Sequence, residues 1–182
     1  IIEKASDIEQ LASGVTDTGG VMVVPALTGL GTPHWDPFAR GLIIGLSRAT
    51  TKAHVARAAL EAIALSVADV VTCMKKDSGM ALTSLRVDGG ASANDLLLQF
   101  QADVLGITVE RPAVLETTAL GAALLAGLST GFYYDPNAVD EARRIDRQFE
   151  PTINDGERRR LCARWNDAVE RCKGWARIDD HA

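Results

Sequence analysis

Leu85 and Val87 alternate with the polar Ser84, Arg86 and Asp88, which predicts a short buried strand ending in an acid. Gly89-Gly90 then turns the chain, and Ser92 or Ala93 begins a helix. Leu96, Leu97, Phe100, Val104 and Leu105 form one face of that helix, and Gly106 ends it. Residues 107–111 predict the next strand, stopped by Pro112. Thr117 or Thr118 caps a second helix over 119–128, in which Gly121, Ala122, Ala123 and Ala126 allow very close packing on a sheet or another helix. Strand, helix, strand, helix in this order predicts a βαβα unit and an at least partly parallel sheet.

The first half carries two further strands. Residues 21–25, Val-Met-Val-Val-Pro, are apolar throughout, which predicts a strand covered on both faces and ended by Pro25. Residues 42–46 predict a second strand, close enough to pair with the first. Between them the glycines and prolines of 30–41 exclude regular structure; Trp35 and Phe38 are expected to pin this loop to the body, and Asp36 to pair with Arg40. Before these strands, residues 1–11 predict a short helix and 15–20 a turn-rich link.

Thr51 is the N-cap candidate of a long helix over 52–76, with Val55, Ala59, Ile63, Val67, Val70 and Met74 at helical spacing. His54 is expected to be exposed and Glu61 to be a salt-bridged border residue. Beyond the βαβα unit, 132–146 reads as a linker with a turn at Asp135-Pro136-Asn137 and a short polar helix, and 148–151 as an extended piece. A last helix over 157–175 carries Leu161, Trp165, Ala168, Val169 and Cys172 on one face, with Trp165 and Trp175 packing it down; the tail from Asp179 is expected to fray. The domain expectation is one unit over 1–151, with 152–182 packed on it.

Composition narrows the function classes. Apolar residues make up 47% of the 182 and charged residues 24%, ordinary globular values, and the formal charge is −5. That balance argues against nucleic acid as main partner, and the Arg158-Arg159-Arg160 cluster reads as a solvated helix face. No apolar run is long enough to span a bilayer. Cys73, Cys162 and Cys172 lack the close spacing of a zinc site and read as free thiols in a reducing cytoplasm. The chain opens on Ile1-Ile2 without a signal peptide, and it reads as a piece of something longer.

The Gly89-Gly90 turn is the first candidate for chemistry. Glycines permit positive φ and let another body approach the backbone. Helix N–H groups beyond the turn point back toward it, at the carboxyl end of a strand, where ligands of open α/β sheets sit. A plain strand–turn–helix connection fits the same residues equally well.

Three blocks carry a family resemblance: Val24-Pro25-Ala26-Leu27-Thr28-Gly29-Leu30-Gly31-Thr32-Pro33-His34-Trp35-Asp36-Pro37-Phe38-Ala39-Arg40-Gly41, Arg86-Val87-Asp88-Gly89-Gly90-Ala91-Ser92-Ala93-Asn94, and Glu116-Thr117-Thr118-Ala119-Leu120-Gly121-Ala122-Ala123. Over about residues 21–151 the chain resembles the C-terminal domain of the FGGY carbohydrate kinases. The first block favours the members that phosphorylate glycerol over the pentulose kinases.

The resemblance implies an α/β fold of the actin-like, ribonuclease-H-like ATPase type, a mixed sheet with flanking helices. It implies ATP or ADP with Mg2+ as cofactor, and nucleotide contacts at Gly90 and Asn94, with Gly89 beside them. It implies transfer of the ATP γ-phosphoryl group to a primary hydroxyl of glycerol. In the family the glycerol-binding residues, the catalytic aspartate and the phosphate-gripping loops precede the stretch that begins here. Asp36, Asp88 and Asp95 are therefore not catalytic candidates; Asp88 is expected to order the glycine turn through backbone N–H groups. Expected partners are nucleotide, and glycerol through the absent domain, with no nucleic acid and no membrane; an uncovered face would favour a homo-oligomer. The alternatives are another FGGY sugar kinase and a non-enzymatic actin-like module.

Overall fold

The computed structural model describes residues 2–132 and 144–177. A 3-10 turn at Ala5–Asp7 leads into helix α1, Ile8–Ala12. Strands β1 (Met22–Val24) and β2 (Leu42–Ile44) pair antiparallel, Val23 opposite Ile43. Helix α2 follows at Lys52–Ser78, then β3 at Ser84–Arg86, α3 at Asp95–Leu105, β4 at Thr108–Pro112 and α4 at Thr117–Ser129. β5, Ile145–Phe149, and α5, Asp155–Cys172, complete the described chain. The order β3-β4-β5 makes a mixed sheet, with β3 parallel to β4 and β5 antiparallel to it. The parallel pair with α3 between its strands is the expected crossover unit.

Two apolar clusters sit on opposite faces of α3. Leu97 and Val104 join Leu60, Leu65 and Val24 in the larger one, with Trp165 and Val169 of α5. Leu98 and Ala102 join Val109 and Phe149 in the smaller one, under the sheet, with half-buried Leu85 and Val87 against them. Gly106 ends α3 in a left-handed conformation, φ 68°, and the side chain of Arg158 lies directly over it.

α2 turns a different face inward from the one its larger apolar residues suggested. Ala56, Leu60, Ala64, Leu65, Ala68 and Val71 are buried, while Ile63, Val70 and Met74 are exposed. The helix is apolar round most of its circumference, and the small side of it admits α1, β1 and α3 most closely. Glu61 is buried on it and paired with Arg57 at 2.9 Å, as expected, and Arg57 also donates to the carbonyl of Val15. His54 is half-buried rather than exposed, because its ring lies under Gly19, and its Nδ1 accepts from the Thr51 N–H at 3.1 Å.

The 30–41 loop is irregular, as expected, but its aromatics do not pin it. Trp35 is 74% exposed and Phe38 44%. Polar contacts hold the loop instead: His34 Nε2 meets Asp69 at 3.1 Å, and Asp36 accepts from the N–H groups of Phe38 and Gly174. Burial alone would raise the Asp36 carboxyl, yet these donors and Arg177 hold it below the usual range. Arg40 does not meet Asp36; its guanidinium donates to the carbonyls of Pro37 and Ala39.

Three further expectations are corrected. Trp165 is buried, but Trp175 lies beyond the end of α5 and is 75% exposed. In the Arg158-Arg159-Arg160 cluster, Arg159 and Arg160 are exposed as expected, but Arg158 is half-buried: it donates to the Asp103 carbonyl at 2.8 Å and pairs with Asp155. In α4 only Leu124 is buried and Leu125 is 69% exposed, so the small-residue helix is not closely packed among the described residues. The expected 135–137 turn, its polar helix and the frayed tail lie outside the described residues. All three cysteines are free, and burial pushes the Cys162 and Cys172 thiols up. No described helix is long and apolar enough to cross a membrane.

Candidate functional site

β3 ends at Arg86, and the chain leaves the sheet through Val87, whose N–H reaches the Glu110 carbonyl at 3.1 Å. Gly89 then takes φ 79°, ψ 173°, a region essentially reserved for glycine, while its N–H donates to the Leu115 carbonyl at 2.9 Å. The chain does not enter the α-helix at Ser92 or Ala93. Gly90–Ala93 is a 3-10 turn, and buried Ser92 closes it, its hydroxyl donating to the Gly89 carbonyl at 2.6 Å. α3 begins one residue after Asn94, which is its N-cap.

That shift changes what Asn94 can offer. Its Oδ1 accepts from the Leu97 N–H at 2.8 Å, satisfying an orphan donor of the first turn. An amide has one oxygen and two N–H donors, so the cap leaves the Nδ2 donors, which meet no acceptor among the described residues. Gly90 lies on the same 3-10 turn and is exposed. A side chain at position 90 would meet nothing within 4 Å and would need no left-handed backbone. Gly89 is thus explained by its own conformation, and Gly90 is not.

Asp88 does not order the glycine turn. Its Oδ2 accepts from the Thr117 hydroxyl, joining the end of β3 to the start of α4. Thr117 is the first helical residue, with Glu116 at the cap position. A groove of about 580 Å³ opens beside this contact, lined by Arg86, Asp88, Glu110, Thr117, Arg144 and others. Gly89, Gly90 and Asn94 do not line it. No three His, Cys, Asp or Glu side chains converge as a metal site among the described residues.

Arg111, which the sequence did not single out, organises the other flank. It sits near the end of β4, where the pairing with β5 shifts register between Arg111 and Pro112. Its guanidinium bonds Asp95 at 2.6 Å and Asp146 at 2.8 Å, and reaches the carbonyls of Ser92 and Ala93 at 3.4 and 3.3 Å. Burial alone would lower its basicity; the two carboxylates raise it instead. Arg147 adds a second cation on Asp95, and both arginines lie over the Phe149 ring, at 5.6 and 4.7 Å.

The turn, its flanking parallel strands and the helix it caps all lie within a stretch that matches known proteins. The model of the C-terminal domain of the FGGY carbohydrate kinases matches residues 2–130. The chain belongs to the FGGY family of carbohydrate kinases. Within the family it is 57% identical, over 175 residues and 96% of its length, to glycerol kinase of Nitratidesulfovibrio vulgaris, and covers 35% of that protein. The crystal structure of Plasmodium falciparum glycerol kinase with ADP superposes with a TM-score of 0.85, at 34% identity, over 98% of this chain and 35% of that one. A ligand-bound xylulose kinase from Lactobacillus acidophilus shares the fold at a TM-score of 0.74 and 23% identity, over 94% of this chain and 36% of that one. The fold is therefore the α/β actin-like ATPase fold of FGGY kinases. The chain spans about a third of the length of the curated relatives it matches.

Proposed function

We propose that this chain is the nucleotide-holding C-terminal part of a glycerol kinase. The observation that carries the reading is its 57% identity with glycerol kinase over nearly the whole chain, against 23% for the xylulose kinase that shares the fold. In the parent protein the γ-phosphoryl group passes from ATP to a primary hydroxyl of glycerol, giving glycerol 3-phosphate and ADP. The hydroxyl proton goes to a base in the other two thirds of the protein. Mg2+ would be held by the phosphates and by residues in that remainder, where it would offset the charge developing on the transferred group. The setting is cytoplasmic, in keeping with three free thiols.

The role of this chain is to receive the adenosine end. The open backbone at Gly90 lets a ring or ribose lie flat against it, and Gly89 gives the turn its shape. The Asn94 Nδ2 group, left over from capping α3, donates to an acceptor on the nucleoside.

Two measurements test this. The full-length protein, assayed with ATP, should phosphorylate glycerol in strong preference to xylulose and gluconate; preference for either sugar would replace the substrate. The isolated 182-residue chain should phosphorylate none of them. Measurable turnover by it would show that the catalytic groups lie within this chain.

A further inference from the structure

We propose that Arg111 is a positioning residue for the nucleotide, acting through Asn94. The proposal rests on the reading that Gly90 and Asn94 receive the adenosine end. No hydrogen bond joins Arg111 to Asn94 itself. The guanidinium bonds the residues around it: Ser92 and Ala93 on one side through their carbonyls, and Asp95 on the other through its carboxylate. A guanidinium can do this because its donors form a rigid planar fork that reaches several acceptors at once. The fork is held from behind by Asp146 at 2.8 Å and lies against the Phe149 ring. It is also well shielded, with only 14% of the side chain exposed.

The placement has a consequence for binding. The 3-10 turn is short, and its i→i+3 hydrogen bonds have poorer geometry than those of an α-helix. Arg111 ties the turn to β4, a strand paired on both sides, and so to the most firmly held backbone nearby. Arg111 is two residues on from Val109, which packs on α3, so ordinary strand alternation puts its side chain on the face toward the start of that helix. Asn94 then meets the nucleotide already oriented, and no binding energy is spent on ordering the segment. Arg111 does not touch the nucleotide in this account.

The test is a double-mutant cycle in the full-length kinase. Nucleotide affinity is measured by calorimetry with Mg-ADP, and steady-state kinetics are run with both substrates. Arg111→Met should raise the ATP KM about tenfold, as expected for a small misplacement of a binding group, with kcat and the glycerol KM changed by less than about twofold. Arg111→Lys keeps the charge but not the fork and should fall near Arg111→Met. In an Asn94→Ala background, Arg111→Met should have little further effect, because its target is gone. Asp146→Asn, which loosens the fork from behind, should give a weaker effect of the same kind and serves if Arg111→Met does not fold. Additive losses for Arg111→Met and Asn94→Ala would overturn the proposal, as would equal changes in the KM of both substrates. An Asn94→Ala enzyme with unchanged nucleotide affinity would overturn the underlying reading instead, and this proposal with it.

Discussion

The indole Nε1 of Trp165 donates to Oδ2 of Asp69 at 2.8 Å. The bond joins α5 to α2, and the same oxygen meets His34 from the 30–41 loop. One half-buried carboxylate thus fastens three separate parts of the chain. Asp69→Leu leaves two polar groups without an acceptor and should cost about 2–6 kcal/mol, taking the usual 1–3 kcal/mol for each stranded group. Thermal unfolding checks this. A loss below about 0.5 kcal/mol would mean that water takes over both bonds.

Asn94 can be dissected because its two ends do different things. Asn94→Asp keeps an oxygen for the Leu97 N–H, so stability should stay within a few tenths of a kcal/mol. It removes the Nδ2 donors, so nucleotide affinity should fall. Asn94→Ala should lose both, with about 1 kcal/mol of stability. If Asn94→Asp binds Mg-ADP as well as the parent, the donors have no role.

The two glycines of the turn should also separate. Gly89→Ala forces a side chain into a backbone region that only glycine occupies readily, at a cost of about 1–3 kcal/mol. Gly90→Ala meets open space and ordinary backbone, and should hold or slightly raise stability, by up to about 1 kcal/mol. Its effect should appear in nucleotide affinity. Unfolding curves and calorimetry on both variants decide; a Gly90→Ala protein that unfolds early would show a backbone need for that glycine.

Glu61 gives a signed dependence on pH. Burial pushes its carboxyl above the ordinary range, against the opposing pull of Arg57. The folded state therefore holds that proton more tightly than the unfolded one. The stability this contributes is fully present below the ordinary carboxyl pKa of 4.5 and is lost as pH rises through the raised value. Glu61→Gln fixes the neutral form and keeps an oxygen for Arg57. Its stability relative to the parent should rise from pH 4 to pH 7, by no more than about 1 kcal/mol. A variant less stable at pH 7 than at pH 4, each against the parent, would mean that the ion pair outweighs the burial.

What could be read from the sequence was local. The strand at Leu85, the glycine turn and the helix stop at Gly106 each depend on a few neighbouring residues, and all occur where their patterns put them. Asn94 was found through resemblance, but its position as cap depends on a one-turn 3-10 segment that no periodicity reveals. The buried face of α2 was misread because Ala56, Ala64 and Ala68 carry less hydrophobic signal than Ile63 or Met74, and close approach selected the smaller set. Arg111 was invisible because its acceptors lie 16 to 19 residues before it and 35 after it. An arginine at the end of a paired strand, beside a proline, is the only local hint.

The contrast among the three tryptophans equips the chain with its own optical gauges. Trp35 and Trp175 stand in water and should emit far to the red, open to quenching by iodide. Trp165, sealed between α5 and α2, should emit to the blue and resist the quencher. A red shift confined to that protected component would therefore time the parting of α5 from α2, with no added dye.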